Sequence, residues 1–124
     1  MAATRTILVI DDEKIVRELL TEVLSDIGVQ VTTAENGPAG LNHFRKPDCN
    51  YDLVIVDMSM PVMDGPEVCK EIRKINPVQK IIIATGSYST DKELAELKKN
   101  GISHIVKKPF NMGELISLLR SEMD

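Results

Sequence analysis

Short apolar runs alternate along this chain with longer stretches in which apolar residues recur three and four positions apart. Thr6-Ile7-Leu8-Val9-Ile10 is the first such run, rich in β-branched residues and halted by two aspartates. A continuous apolar segment of this kind predicts a parallel strand buried on both faces. From Lys14 to about Ile27 the spacing is helical: Ile15, Leu19, Val23 and Ile27 stand four apart, with Leu20 and Leu24 beside them, and Gly28 follows as a stop. Val29 to Ala34 predicts a second, shorter strand, and Asn36-Gly37-Pro38 opens a helix whose apolar face includes Ala39, Leu41 and Phe44. Leu53 to Val56 is the most strand-like segment and ends at Asp57. After a loop with Pro61 and Gly65, Pro66 starts a helix carrying Val68, Cys69 and Ile72. Lys80 to Ala84 predicts a fourth strand ending at Thr85-Gly86, Asp91 to Asn100 a polar surface helix closed by Gly101, and Ile102 to Val106 a fifth strand. Asn111 to Met123 is a last amphipathic helix with Leu115, Ile116, Leu118 and Leu119 inward.

A strand–helix unit repeated five times predicts an α/β fold, a parallel sheet with helices on both faces. No internal repeat, low-complexity segment or linker interrupts it. The 124 residues are one domain's worth, so the expectation is a single domain over 1–124 with no output domain. Hydrophobic residues make up 43% and charged residues 27%, as in ordinary soluble domains. A net charge of -4 argues against non-specific nucleic-acid binding, which needs basic surface. No apolar run reaches the length of a membrane span. Cys49 and Cys69 match no metal-ligand spacing and read as free thiols in a reducing compartment, which makes the cytoplasm the expected location.

In open parallel sheets, ligands bind beyond the carboxyl ends of the strands. The predicted strands deliver Asp11 and Asp12, Asp57, Thr85, and Lys107 and Lys108 to that edge. Singly, each has an ordinary role: Asp12 fits an N-cap, Thr85 ends a strand well, and a loop lysine is solvated. Together they make one chemistry. Carboxylates about 4 Å apart, at an effective dielectric near 20, repel by roughly 4 kcal/mol a pair. A divalent cation removes that cost, and oxygen ligands with positions left for water suit Mg²⁺. Asp57 is then the candidate nucleophile, attacking phosphorus to form an acyl phosphate. Thr85 can bond one phosphoryl oxygen and a lysine another. Lys107 and Lys108 point apart in an extended chain, so one of the two faces the site. His43 and His104 have no ligand partners at metal spacing, Met58, Met60 and Met63 read as loop packing, and the charges from Asp91 to Lys99 as a solvated helix face.

Four motifs in this order resemble the receiver domain of two-component response regulators over essentially the whole chain. They are Ile-Leu-Val-Ile-Asp11-Asp12-Glu13, Asp57-Met-Ser-Met-Pro61-Val-Met-Asp64-Gly65, Thr85-Gly86, and Lys107-Lys108-Pro109-Phe110. The resemblance implies a flavodoxin-like sheet of order 2-1-3-4-5 and Asp57 as the phosphorylated aspartate. It implies Asp12 as a direct Mg²⁺ ligand, Asp11 as an acid holding the ion through water, and the backbone carbonyl of Ser59 as the remaining protein ligand beside Asp57. Thr85 is similar to the family's switch hydroxyl and Lys108 to its lysine, with a cis bond implied at Lys108–Pro109. The usual strand-5 aromatic is replaced by Ile105, with His104 facing the other way. Ser59 and Ser87 occupy positions that tune phosphate lifetime in the family.

The function implied is a phosphorelay module rather than a conventional enzyme. It takes a phosphoryl group from a phosphohistidine on a sensor histidine kinase or histidine phosphotransfer protein, then changes its binding to a downstream protein. The implied kinase-facing surface is helix 1 around Ile15, Glu18 and Leu19, with the loop at Phe110. No nucleic-acid or membrane contact is implied, and the chain is expected as a monomer or a phosphorylation-dependent dimer. Other readings are a Mg²⁺-dependent aspartyl-nucleophile phosphatase, for which Ser59 is a poor acid; a nucleotide or flavin binder, disfavoured by carboxylates after strand 1; and a receiver that works as an unphosphorylated scaffold.

Overall fold

The computed structural model describes residues 4–48, 50–86 and 90–123, so Cys49 and Ser87 lie outside the described residues. Five strands and five helices alternate: β1 (Thr6–Ile10), α1 (Lys14–Asp26), β2 (Gln30–Ala34), α2 (Gly37–Phe44), β3 (Leu53–Asp57), α3 (Gly65–Ile75), β4 (Ile81–Thr85), α4 (Asp91–Lys99), β5 (His104–Lys107) and α5 (Met112–Met123). The strands form one parallel sheet in the order β2-β1-β3-β4-β5. Strand composition separates the centre from the edges. β1, β3 and β4 are apolar on both faces and fill the centre, while β2 and β5 carry polar residues and form the half-exposed edges.

Side-chain alternation divides the core in two. Leu8, Ile10, Val54, Val56, Ile81 and Ile83 meet Leu41 and Phe44 of α2, Val68, Cys69 and Ile72 of α3, and Leu97 of α4. On the opposite face Ile7, Val9, Leu53, Ile55, Ile82 and Ala84 meet Leu20 and Leu24 of α1 and Leu115, Leu119 and Met123 of α5. Ile116 and Leu118 of α5 are half-buried. Cys69 is a free, buried thiol, pushed up to about 12 chiefly by burial. No helix among the described residues is long and apolar enough to cross a membrane.

Two details differ from the pattern read along the chain. In α1 the buried residues are Leu20 and Leu24, whereas Ile15 is 74% and Leu19 42% exposed. A row of residues four apart advances about 40° per step around a helix of 3.6 residues per turn, so it spirals off the buried face. β5 begins at His104 rather than Ile102 because the preceding residues serve the turn. The Ile102 N–H closes α4 on the Leu97 carbonyl at 3.2 Å, and the Ser103 N–H bonds Ile81 at 3.0 Å. Arg73 of α3 locks this corner, donating to the carbonyls of Asn100 (2.6 Å), Gln79 (2.5 Å) and Gly101 (2.9 Å).

The first turn of α3 lies against the end of β3. Asp64 caps it, its Oδ1 accepting the Glu67 N–H at 2.9 Å. A Cβ at Gly65 would stand 2.6 Å from the Asp57 carbonyl oxygen and 3.0 Å from Met58 Cα, both backbone atoms. Gly113, in the first turn of α5, has only Asn111 Oδ1 at an ordinary 3.5 Å. One chemical change should therefore have opposite signs at the two positions. Gly65→Ala is expected to cost about 1–3 kcal/mol in urea unfolding, and Gly113→Ala to gain about 0.5–1 kcal/mol.

Candidate phosphoacceptor site

Four strand ends meet at one edge of the sheet. β1 runs out into Asp11, β3 ends on Asp57 and β4 on Thr85, which are 2%, 5% and 4% exposed. Register puts them side by side: Ile10 pairs with Val56, Asp57 with Ala84, and Thr85 with Lys107. The Lys108 N–H continues that ladder onto the Thr85 carbonyl at 2.8 Å, and the Lys108–Pro109 bond is cis. Of the two lysines, Lys108 turns inward. Its Nζ lies 2.8 Å from Asp11 Oδ2, 3.1 Å from Glu13 Oε1 and 3.3 Å from Asp57 Oδ1. Lys107 is exposed.

The structure brings together Asp11, Asp12, Asp57 and Lys108, with Thr85 one residue past the strand partner of Asp57. Carboxylate oxygens of Asp11, Asp12, Glu13 and Asp57 all lie within 4.8 Å of one another. Asp12 does not cap α1; the N-cap residue is Glu13, whose own side chain makes no capping bond. Asp64 is occupied as the cap of α3. Ser59 is exposed, two residues beyond Asp57. An all-oxygen, acid-rich donor set of this kind fits a hard divalent cation.

The loop after Asp57 is held by its methionines. Met58 and Met60 are buried, and Met63 packs on the same cluster. Between them, Val62 has φ 73° and is 91% exposed. Its neighbours close a tight turn, Met63 N–H to Pro61 carbonyl at 2.8 Å. A β-branched residue in left-handed backbone is strained, and no packing compensates it. Ile105 packs with the α2–α4 cluster, while His104 faces outward to Glu122, with Nε2 2.7 Å from Oε1.

The role of Glu13 and the turn at Val62 are not legible along the chain. A third acid after Asp11-Asp12 is the only signal for the first. Valine gives none for the second, because left-handed backbone is what its side chain disfavours.

Crowding of like charges sets the electrostatics. Burial, then the charge of Asp11 and a hydrogen bond with Asp12, raise Asp57 from 3.8 to about 6, against the opposing pull of Lys108. Burial alone would lower Lys108. Its bonds to Asp11 and Glu13, with the charges of Asp11 and Asp57, outweigh that and hold it above the ordinary lysine range. An acid whose folded pKa is raised favours the fold below its unfolded pKa, and that support is lost as pH climbs through the folded value. Without a cation, the ionisation of Asp57 thus costs stability between about pH 4 and pH 6. Asp57→Asn is expected to stabilise the metal-free protein by about 2–3 kcal/mol at pH 7–8. The gain should vanish below about pH 4. Urea unfolding in chelator across that pH range measures it.

The response regulator receiver domain family matches residues 7–120. The probable transcriptional regulator ycf27 of Porphyra purpurea is 40% identical over 93% of this chain, which spans 46% of that protein; the chain covers about half the length of the curated relatives it matches. Among solved structures, the response regulator protein TrrA of Thermotoga maritima, in complex with Mg(2+)-BeF, is 39% identical with a TM-score of 0.81, covering 96% of this chain and 99% of its own. The chemotaxis protein CheY4 of Vibrio cholerae is 28% identical with a TM-score of 0.87, covering 96% and 98%. With its sheet order, its strand-end acids and these likenesses, the chain belongs to the response regulator receiver domain family.

Proposed function

We propose that this receiver domain accepts a phosphoryl group on Asp57 from a phosphohistidine of a sensor kinase or phosphotransfer protein. The observation that carries the proposal is a buried carboxylate 3.3 Å from an inward lysine, within a ring of three further acids. An Asp57 oxygen attacks phosphorus as the phosphorus–nitrogen bond to the donor imidazole breaks. The electron pair leaves with that nitrogen, which ends protonated. Lys108 donates to one phosphoryl oxygen and the Thr85 hydroxyl to another, placing fixed donors where charge accumulates. Mg²⁺, held by Asp12, Asp57 and the Ser59 carbonyl, and by Asp11 through water, would supply charge neutralisation to the acids and the phosphoryl oxygens.

The exposed Ile15 and Leu19, with Glu18 between them, support a docking surface on α1 beside the Phe110 loop for the phosphohistidine protein. Transfer would occur once per cycle in a cytoplasmic signalling module, without steady turnover of a small substrate. The output is altered binding to a downstream protein, with Ile105 repacking where other receivers rotate an aromatic ring. Direct nucleic-acid contact forms no part of the proposal for this acidic chain, whose net charge is -4.

The decisive measurement is intact mass after incubation with acetyl phosphate. Wild type with Mg²⁺ is expected to gain the mass of one phosphoryl group. The gain should disappear in chelator and in Asp57→Asn. A gain that survives Asp57→Asn, or none in wild type, contradicts the proposal.

A further inference from the structure

Glu13 sits at the N-cap of α1, where a short polar side chain ordinarily turns back onto the free N–H groups of the helix. Its carboxylate makes no such bond. It reaches instead to Lys108, 3.1 Å away and 95 positions along the chain. Its backbone N–H meanwhile donates to Asp11 Oδ1 at 2.9 Å. Glu13 thus touches both the ammonium and one of the two buried acids sharing it. It differs from them in exposure: its side chain is 55% exposed, against 3% for Asp11, 7% for Asp57 and 12% for Lys108.

We infer that Glu13 is a positioning residue that keeps the Lys108 ammonium over Asp57 during phosphoryl transfer. This rests on the phosphoacceptor reading of Asp57. Three carboxylates divide the ammonium before transfer. Asp57 loses its anionic charge on that carboxylate when it becomes the acyl phosphate, and Asp11 is shared with the cation. Both buried holds therefore weaken at the moment Lys108 must meet a phosphoryl oxygen. A lysine stem has many rotamers, and an ammonium released from its partners samples them. Glu13, outside the proposed ligand set of Asp11, Asp12, Asp57 and Ser59, has neither of those tasks, so its hold outlasts the others. Its exposure limits the effect to that of a solvated ion pair.

The alternative role for Glu13 is as one more acid for the cation, and the two roles separate in a double-mutant cycle. Phosphorylation by acetyl phosphate at saturating Mg²⁺ would be timed by intact mass. Mg²⁺ affinity would be measured by calorimetry, and binding of fluoroberyllate with Mg²⁺ by fluorine NMR. Glu13→Gln keeps length and an acceptor oxygen but loses the charge. It is expected to slow phosphorylation about two- to fivefold and to weaken fluoroberyllate binding similarly, with Mg²⁺ affinity within about twofold of wild type. Glu13→Asp, which retains the charge, should recover part of the loss. In a Lys108→Ala background, Glu13→Gln should have no further effect on either readout. A loss that persists in that background, or that follows Mg²⁺ affinity, overturns the positioning role, as does a Glu13→Gln protein as fast as wild type. If wild type itself takes no phosphoryl group, the acceptor reading falls and this inference with it.

Discussion

The site is organised by a shortage of positive charge. Asp11, Glu13 and Asp57 all lie within 3.3 Å of one ammonium, and Asp12 crowds the same space. A carboxylate buried among like charges is unstable as an anion, which is why Asp57 is raised to about 6. The fold carries this cost because strand order and register leave no choice. β1, β3 and β4 are adjacent, parallel and largely apolar along their length, so their carboxyl ends deliver polar groups to one edge. A divalent cation would therefore relieve a tension present in the bare protein. Cation affinity is correspondingly a difference, the ion's attraction to the acids less whatever hold Lys108 gives up.

The architecture was legible because it rests on composition. Strands apolar on both faces can only be central, and the five alternating units fix a parallel sheet. Choosing Lys108 over Lys107 needed the resemblance, since alternation says that one lysine faces inward without saying which. Spacing along α1 reports periodicity but not phase: Ile15 and Leu19 keep the helical repeat and still point to solvent. The start of β5 was displaced by hydrogen bonds of the α4 turn, which join residues that no local pattern connects. Glu13 was missed for the same reason, its partner being distant in sequence.

The corner held by Arg73 illustrates how little of α4 is tied down by packing. Leu97 is its one fully buried residue, and its first turn is satisfied locally by the capping box of Thr90 and Glu93. Its far end is fixed by the guanidinium on the Asn100 and Gly101 carbonyls. The helix next to Thr85 in sequence is thus the one with the smallest buried face, whereas α3, following Asp57, buries Gly65, Val68, Cys69 and Ile72.

The contact at Gly65 turns the segment from Asp57 onward into a ruler. One end is the strand terminus, the other the only residue type that can lie on its backbone, and the buried methionines keep the interval from bowing outward. Between them, Val62 makes a tight turn in strained left-handed backbone. An insertion or deletion in this interval cannot be absorbed as it would be in an ordinary surface loop, because it would swing the glycine off its seat and carry Asp57 out of alignment.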